Sequence, residues 1–136
     1  MRLVWKGKYS QIFYDEAKNY MLIKRTPETL YMTDGDFKKE LLEWSKLISK
    51  YKPTKGIIDA TEFYFVVSPE LQVYSLKETF KIALNNGLNK LGIVQPKDFF
   101  AKLSVEQLFD KENIGSLNLN FFTSLEKAEQ WLFNDK

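Results

Sequence analysis

The sequence contains no histidine and no cysteine. The first absence removes Ser-His-Asp and Cys-His catalysis and HExxH metal sites; the second removes thiolate zinc ligands, disulfides and thiol redox chemistry. Glycine and proline are sparse, six and four residues. They sit singly between periodic segments, so neither a Gly-rich phosphate loop nor a Pro-rich linker can be drawn. No apolar run approaches the roughly 18 residues of a membrane-crossing helix. The first eight residues already carry Arg2, Lys6 and Lys8, unlike the long apolar stretch of a signal peptide. Neither charge dominates: 20 basic against 18 acidic residues give +2, far from the strongly basic balance of a nucleic-acid binder. A cytoplasmic, non-enzymatic protein with no cofactor, no metal, no nucleic-acid partner and no transmembrane segment is the default expectation.

What is present suits one domain. A chain of 136 residues, 44% apolar and 15% aromatic, removes roughly 65–70% of its extended surface from water on folding. The charges are unevenly spread, with 12 basic and 7 acidic residues up to Lys55 and 8 and 11 after it. Lys46, Lys50, Lys52 and Lys55 cluster near the end of a predicted helix, where cations complement the carbonyl end of its dipole.

The elements follow from periodicity. Tyr9 to Asp15 and Tyr20 to Arg25 are short aromatic and β-branched runs flanking a polar stretch, the pattern of a hairpin. From Thr33 to Tyr51, Phe37, Leu41, Trp44, Ile48 and Tyr51 recur at alternating steps of four and three, which draws one helical stripe, with Thr33 or Asp34 as its cap. Gly56 to Asp59 reads as a buried interior strand. After the aromatic run Phe63 to Val67, Ser68 and Pro69 open a helix to about Asn86, in the favoured order of a capping hydroxyl and then Pro. Gly87 closes it. Lys90 to Val94 is a strand, Pro96 to Asn113 helical, Leu117 to Phe121 a strand, and Ser124 to Phe133 a helix. Ser104 with Gln107, and Thr123 with Glu126, match the reciprocal capping box. Leu125, Ala128 and Leu132 turn the last helix's apolar face to the sheet, with Trp131 beside them. The order β-β-α-β-α-β-α-β-α predicts an α/β domain with a mixed, mainly parallel sheet, an antiparallel hairpin at its edge and about four helices.

The stretch GIIDATEFYFVVSPEL, Gly56 to Leu71, resembles the central segment of STAS domains, the anti-sigma-factor antagonist fold. In that family a strand ends in Asp, a short aromatic or β-branched stretch follows, and a phosphorylatable Ser sits where the next helix begins. Asp59 and Ser68 fall on those two positions. LGIVQP, FFAKLSVEQLF and NFFTSLEKAEQWL are similar to the SpoIIAA-like branch, whose chains end in an aromatic strand and a helix carrying Ala and Trp-Leu. The resemblance implies a single STAS-like domain over residues 1–136, related to the lipid-binding CRAL-TRIO fold, that regulates by binding another protein.

Ser68 is the principal candidate. Its hydroxyl can simply cap a backbone N–H, or it can carry a phosphate, which a helix N-terminus favours and Glu70 in the same turn repels. Glu70 and Tyr74 lie on the helix that Ser68 opens and complete the expected contact surface. Asp59 and Glu62 are closely spaced carboxylates at a strand end, where open α/β sheets place ligands; turn formation is the simpler reading. Asp34 and Asp36 read as helix-start residues, because the spacing of a calcium loop is not met. Aromatic clusters at Phe63, Tyr64 and Phe65, at Phe99 and Phe100, and at Phe121 and Phe122 imply either a sheet covered on both faces or a thick core, or else an apolar groove or a self-association surface such as that of a homodimer. A cavity between helices and sheet for a small apolar ligand or lipid is the alternative function.

Overall fold

The computed structural model of the chain describes residues 1–134. β1 (Arg2–Lys6), β2 (Ser10–Asp15), β3 (Tyr20–Arg25), β4 (Lys55–Asp59), β5 (Lys90–Val94) and β6 (Asn118–Phe122) lie side by side in chain order. β1, β2 and β3 are antiparallel neighbours, and β3 to β6 run parallel. The expected α/β sheet is therefore present with one strand more at its antiparallel edge. β1 escapes a periodicity reading because it is short, begins and ends in a charged residue, and is bulged between Leu3 and Trp5. Gly7 belongs to this edge: a Cβ there would lie 2.3 Å from the Trp5 indole, so the ring covers bare backbone that no larger residue could offer.

Each parallel step, from β3 through β6, moves one strand in the same direction, and right-handed crossovers then put the connecting helices on one face. They are α1 (Asp34–Tyr51), α2 (Pro69–Ser75), α3 (Lys81–Asn85), α4 (Phe99–Leu108) and the short α5 (Lys111–Ile114). α6 (Leu125–Leu132) follows β6, the last strand among the described residues, and folds onto the other face. The sheet alternates accordingly: Met21 and Ile23 enter the large core, Tyr20 and Leu22 the smaller one under α6. Phe121 and Phe122 likewise go to opposite faces, both covered.

α1 forms as its stripe predicts, with Phe37, Leu41, Trp44 and Ile48 buried. Thr33 accepts from the Asp36 N–H while the Asp36 carboxylate accepts from the Thr33 N–H, a full capping box that accounts for Asp36. α2 and α3 are one rod, joined through a π-helical turn, Leu76–Phe80. Such a turn takes carbonyls out of α register. Ser45 of α1 answers it, its hydroxyl 2.8 Å from the Glu78 and Leu41 carbonyl oxygens and 3.1 Å from the Thr79 hydroxyl.

Two expectations change. Ser104 does not cap a helix: α4 starts earlier, at Asp98, whose carboxylate accepts from the Ala101 N–H, and the segment breaks at Phe109 before α5. The last helix is capped by Ser124, which accepts from the Lys127 N–H, rather than by Thr123. On the expected apolar face of α6, Leu132 is sealed beneath the helix, and Trp131 beside it is half-buried.

Candidate functional site

The parallel strands β3 to β5 end at one edge of the sheet, and there the chain makes its longest irregular excursions. The 3-10 turn Pro27–Tyr31 follows β3, and residues 60–68 follow β4. Thr29 ties the two together, its hydroxyl donating to the Glu62 carbonyl at 2.9 Å and accepting from the Tyr64 N–H at 3.0 Å.

Asp59 ends β4, nearly buried, and one carboxylate oxygen accepts from the Thr61 N–H at 3.2 Å and the Thr61 hydroxyl at 2.6 Å. This is a local turn closure. Glu62 lies further out and holds the Lys97 ammonium at 2.6 Å and the Tyr64 hydroxyl at 2.5 Å. Lys97 first, and Tyr64 second, keep the Glu62 carboxyl below its ordinary range; the same bonds to Glu62 raise Tyr64 and Lys97 above theirs. All three shifts lead away from neutrality, where an acid–base catalyst is poised. Asp59 and Glu62 thus have separate partners, and the arrangement orders a loop.

Ser68 sits where the extended segment Phe63 to Val67 becomes helix. Its backbone is extended (ψ 159°), Pro69 takes the first helical position, and the half-exposed side chain accepts from the Leu71 N–H at 3.3 Å. The junction is clamped from below. Val67 is buried and donates its N–H to the Ser104 hydroxyl of α4 at 3.0 Å, and Ser104 donates to the Ala101 carbonyl. Gln72 of α2 reaches both the Val67 carbonyl and the Gln107 side chain of α4. Ser104 and Gln107, which the sequence pairs as a capping box, are in fact the clamp that fixes the direction of Ser68. Glu70 is exposed; Tyr74 is half-buried, with the Lys38 ammonium 5.2 Å over its ring. Ser68→Ala is expected to cost about 1 kcal/mol in urea unfolding, the worth of an N-cap; a loss above about 3 kcal/mol would mean that the hydroxyl does more than cap.

The elements this clamp joins carry exposed apolar side chains: Val66 before Ser68, Val73 on α2, and Phe99, Phe100 and Leu103 on α4. Phe99 and Phe100 are 63% and 67% exposed, their rings edge to face at 5.4 Å. They are not a strand pair split between two faces; they stand together at a helix start, facing water.

A second polar constellation lies inside, and the sequence reading missed it. Arg25 ends β3 with its guanidinium between the rings of Trp44 (4.3 Å) and Phe63 (4.5 Å). Nη1 donates to Glu40 of α1, the two side chains being 5% and 3% exposed. The other Glu40 oxygen accepts from the Ser10 hydroxyl at 2.9 Å, and Ser10 accepts from the Trp44 indole N–H at 3.2 Å. Burial lowers the guanidinium pKa and the facing carboxylate opposes that shift. Glu40 could have been found from sequence: it lies three residues after Phe37 and four before Trp44, on the apolar stripe itself.

Among the described residues, no helix is long and apolar enough to cross a membrane, and no group of three or more acidic residues could hold a metal ion. In comparison with known proteins, no family model, no curated protein and no solved structure matches this chain.

Proposed function

We propose that this chain is a STAS-like, SpoIIAA-like domain that regulates by binding another protein and performs no catalysis. The contact surface is Ser68, Glu70 and Tyr74 with the apolar side chains around them. The observation that carries the reading is the junction at Val67 and Ser68: a half-exposed serine at a helix start, held by a buried clamp from α4, on elements that also carry exposed apolar residues. Large exposed side chains grouped in one place commonly mark protein contacts, and aromatic residues dominate such interfaces. A phosphate on Ser68 would add nearly two negative charges at this surface, which would switch the affinity for a partner.

The test is affinity capture with four baits: wild type, Ser68→Ala, Ser68→Glu and Phe99→Ser. A protein held by wild type and Ser68→Ala and released by both other variants supports the reading. If every captured protein stays bound to Phe99→Ser and to Ser68→Glu, the surface is not a docking site.

A further inference from the structure

Between the sheet and the helices α1, α3 and α4 lies a cavity of about 110 Å³. Its wall is apolar almost throughout, with Ile23, Leu41, Phe80, Ile93 and Leu108 among the lining residues and Arg25 as the one charged group. Protein interiors are packed to crystal density, and voids larger than a water molecule are few. An apolar wall does not hold water, whereas a hydrocarbon-lined void of about 150 Å³ accepts benzene.

Arg25 gives the cavity a polar end. A guanidinium carries five N–H donors in a plane; Glu40 engages Nη1, and the faces are covered by Trp44 and Phe63. Among the described residues, every side-chain nitrogen or oxygen sealed from solvent has a hydrogen-bond partner. Glu40 is bonded through Nη1, and Arg25 lines this cavity, which is the space its remaining N–H groups can donate into. The charge is already balanced by Glu40. An anionic ligand would bring an uncompensated charge into the interior, at heavy desolvation cost. The acceptor that fits is a neutral oxygen.

We propose that this cavity binds a small neutral molecule, mostly apolar and of roughly five or six heavy atoms, whose single carbonyl or hydroxyl oxygen accepts a hydrogen bond from Arg25. The π-helical turn forms part of the wall through Thr79 and Phe80, and such turns recur at functional sites. The volume suits a short-chain ketone, amide or alcohol and is too small for a lipid chain, whose pockets run to several hundred Å³.

The experiment is methyl NMR titration of the protein with cyclopentanone, cyclopentane and butyrate. Cyclopentanone should shift the methyl resonances of Ile23, Ile93 and Leu108 and bind at least tenfold more tightly than either of the others. The paired replacement Arg25→Met with Glu40→Leu should abolish the preference for the ketone over the hydrocarbon. Should that protein fail to fold, Ala83→Leu fills the same cavity from α3 and should remove the shifts with Arg25 and Glu40 in place. Absence of methyl shifts at saturating ketone, equal binding of ketone and hydrocarbon by wild type, or unchanged ketone binding by Ala83→Leu would each overturn the proposal. The docking surface around Phe99 is separate from these residues, so either reading can fail alone.

Discussion

Glu40→Ala should lower the free energy of unfolding by about 3–5 kcal/mol, the range for breaking a buried ion pair from one side. The loss comes from what is left behind. Arg25 stays charged, because a guanidinium does not give up its proton in proteins, and its side chain is only 5% exposed, so solvent replaces little of what the carboxylate supplied. The stacking on Trp44 and Phe63 softens the penalty without removing it, since a desolvated cation–π contact is worth about 2 kcal/mol. Ser10 also loses its acceptor, so the relay from the Trp44 indole through Ser10 to Glu40 is broken at its end. The paired replacement Arg25→Met with Glu40→Leu removes both charges and should leave stability unchanged or raise it by about 1–4 kcal/mol. Urea unfolding of the three proteins decides it. A Glu40→Ala protein within about 1 kcal/mol of wild type would show that Arg25 finds solvent.

That pair also marks where sequence reading stops. The stripe of α1, the strand at Gly56 to Asp59, the serine cap at Ser68 and the order of alternating strands and helices were all legible, because each depends on residues within a few positions of one another. Arg25 and Glu40 meet across 15 residues and Ser10 and Glu40 across 30, and nothing local says that a strand-end arginine will turn inward. The same limit explains Ser104. Its spacing to Gln107 satisfies a local rule, yet Asp98 already caps α4, and the serine's partner is a backbone N–H 37 residues away. β1 was illegible for another reason: edge strands have one open side and tolerate charged ends. The π turn left no trace, since no Gly or Pro marks it. At the candidate surface, Ser68 and Asp59 could be read as cap and turn, while the exposure of Phe99 and Phe100 depends on where α4 begins.

The second face of the sheet sets up a contrast between neighbouring residues of α6. Sequence alone sets Leu125, Ala128 and Leu132 toward the sheet, with the larger Trp131 beside them. In the structure Leu132, with Ala128, is 0% exposed over Tyr20, Leu22, Ile57 and Val94. The approach is close enough that a Cβ built on Gly92 of β5 would be 3.6 Å from the Ala128 Cβ. Trp131 sits at the rim, its ring 5.3 Å from Phe122 and beneath the Lys90 ammonium at 4.6 Å, with one side in water. Leu132→Ala should therefore cost about 2–5 kcal/mol, near the upper end because the sheet beneath cannot rise to fill the gap. Trp131→Ala removes more atoms but opens to solvent, not into a sealed void, and should cost less than the roughly 3–5 kcal/mol of a fully buried tryptophan. The ranking is the prediction. If urea unfolding put Trp131→Ala above Leu132→Ala, the rotation of α6 on the sheet would be different, with the indole inside and the leucine at the rim.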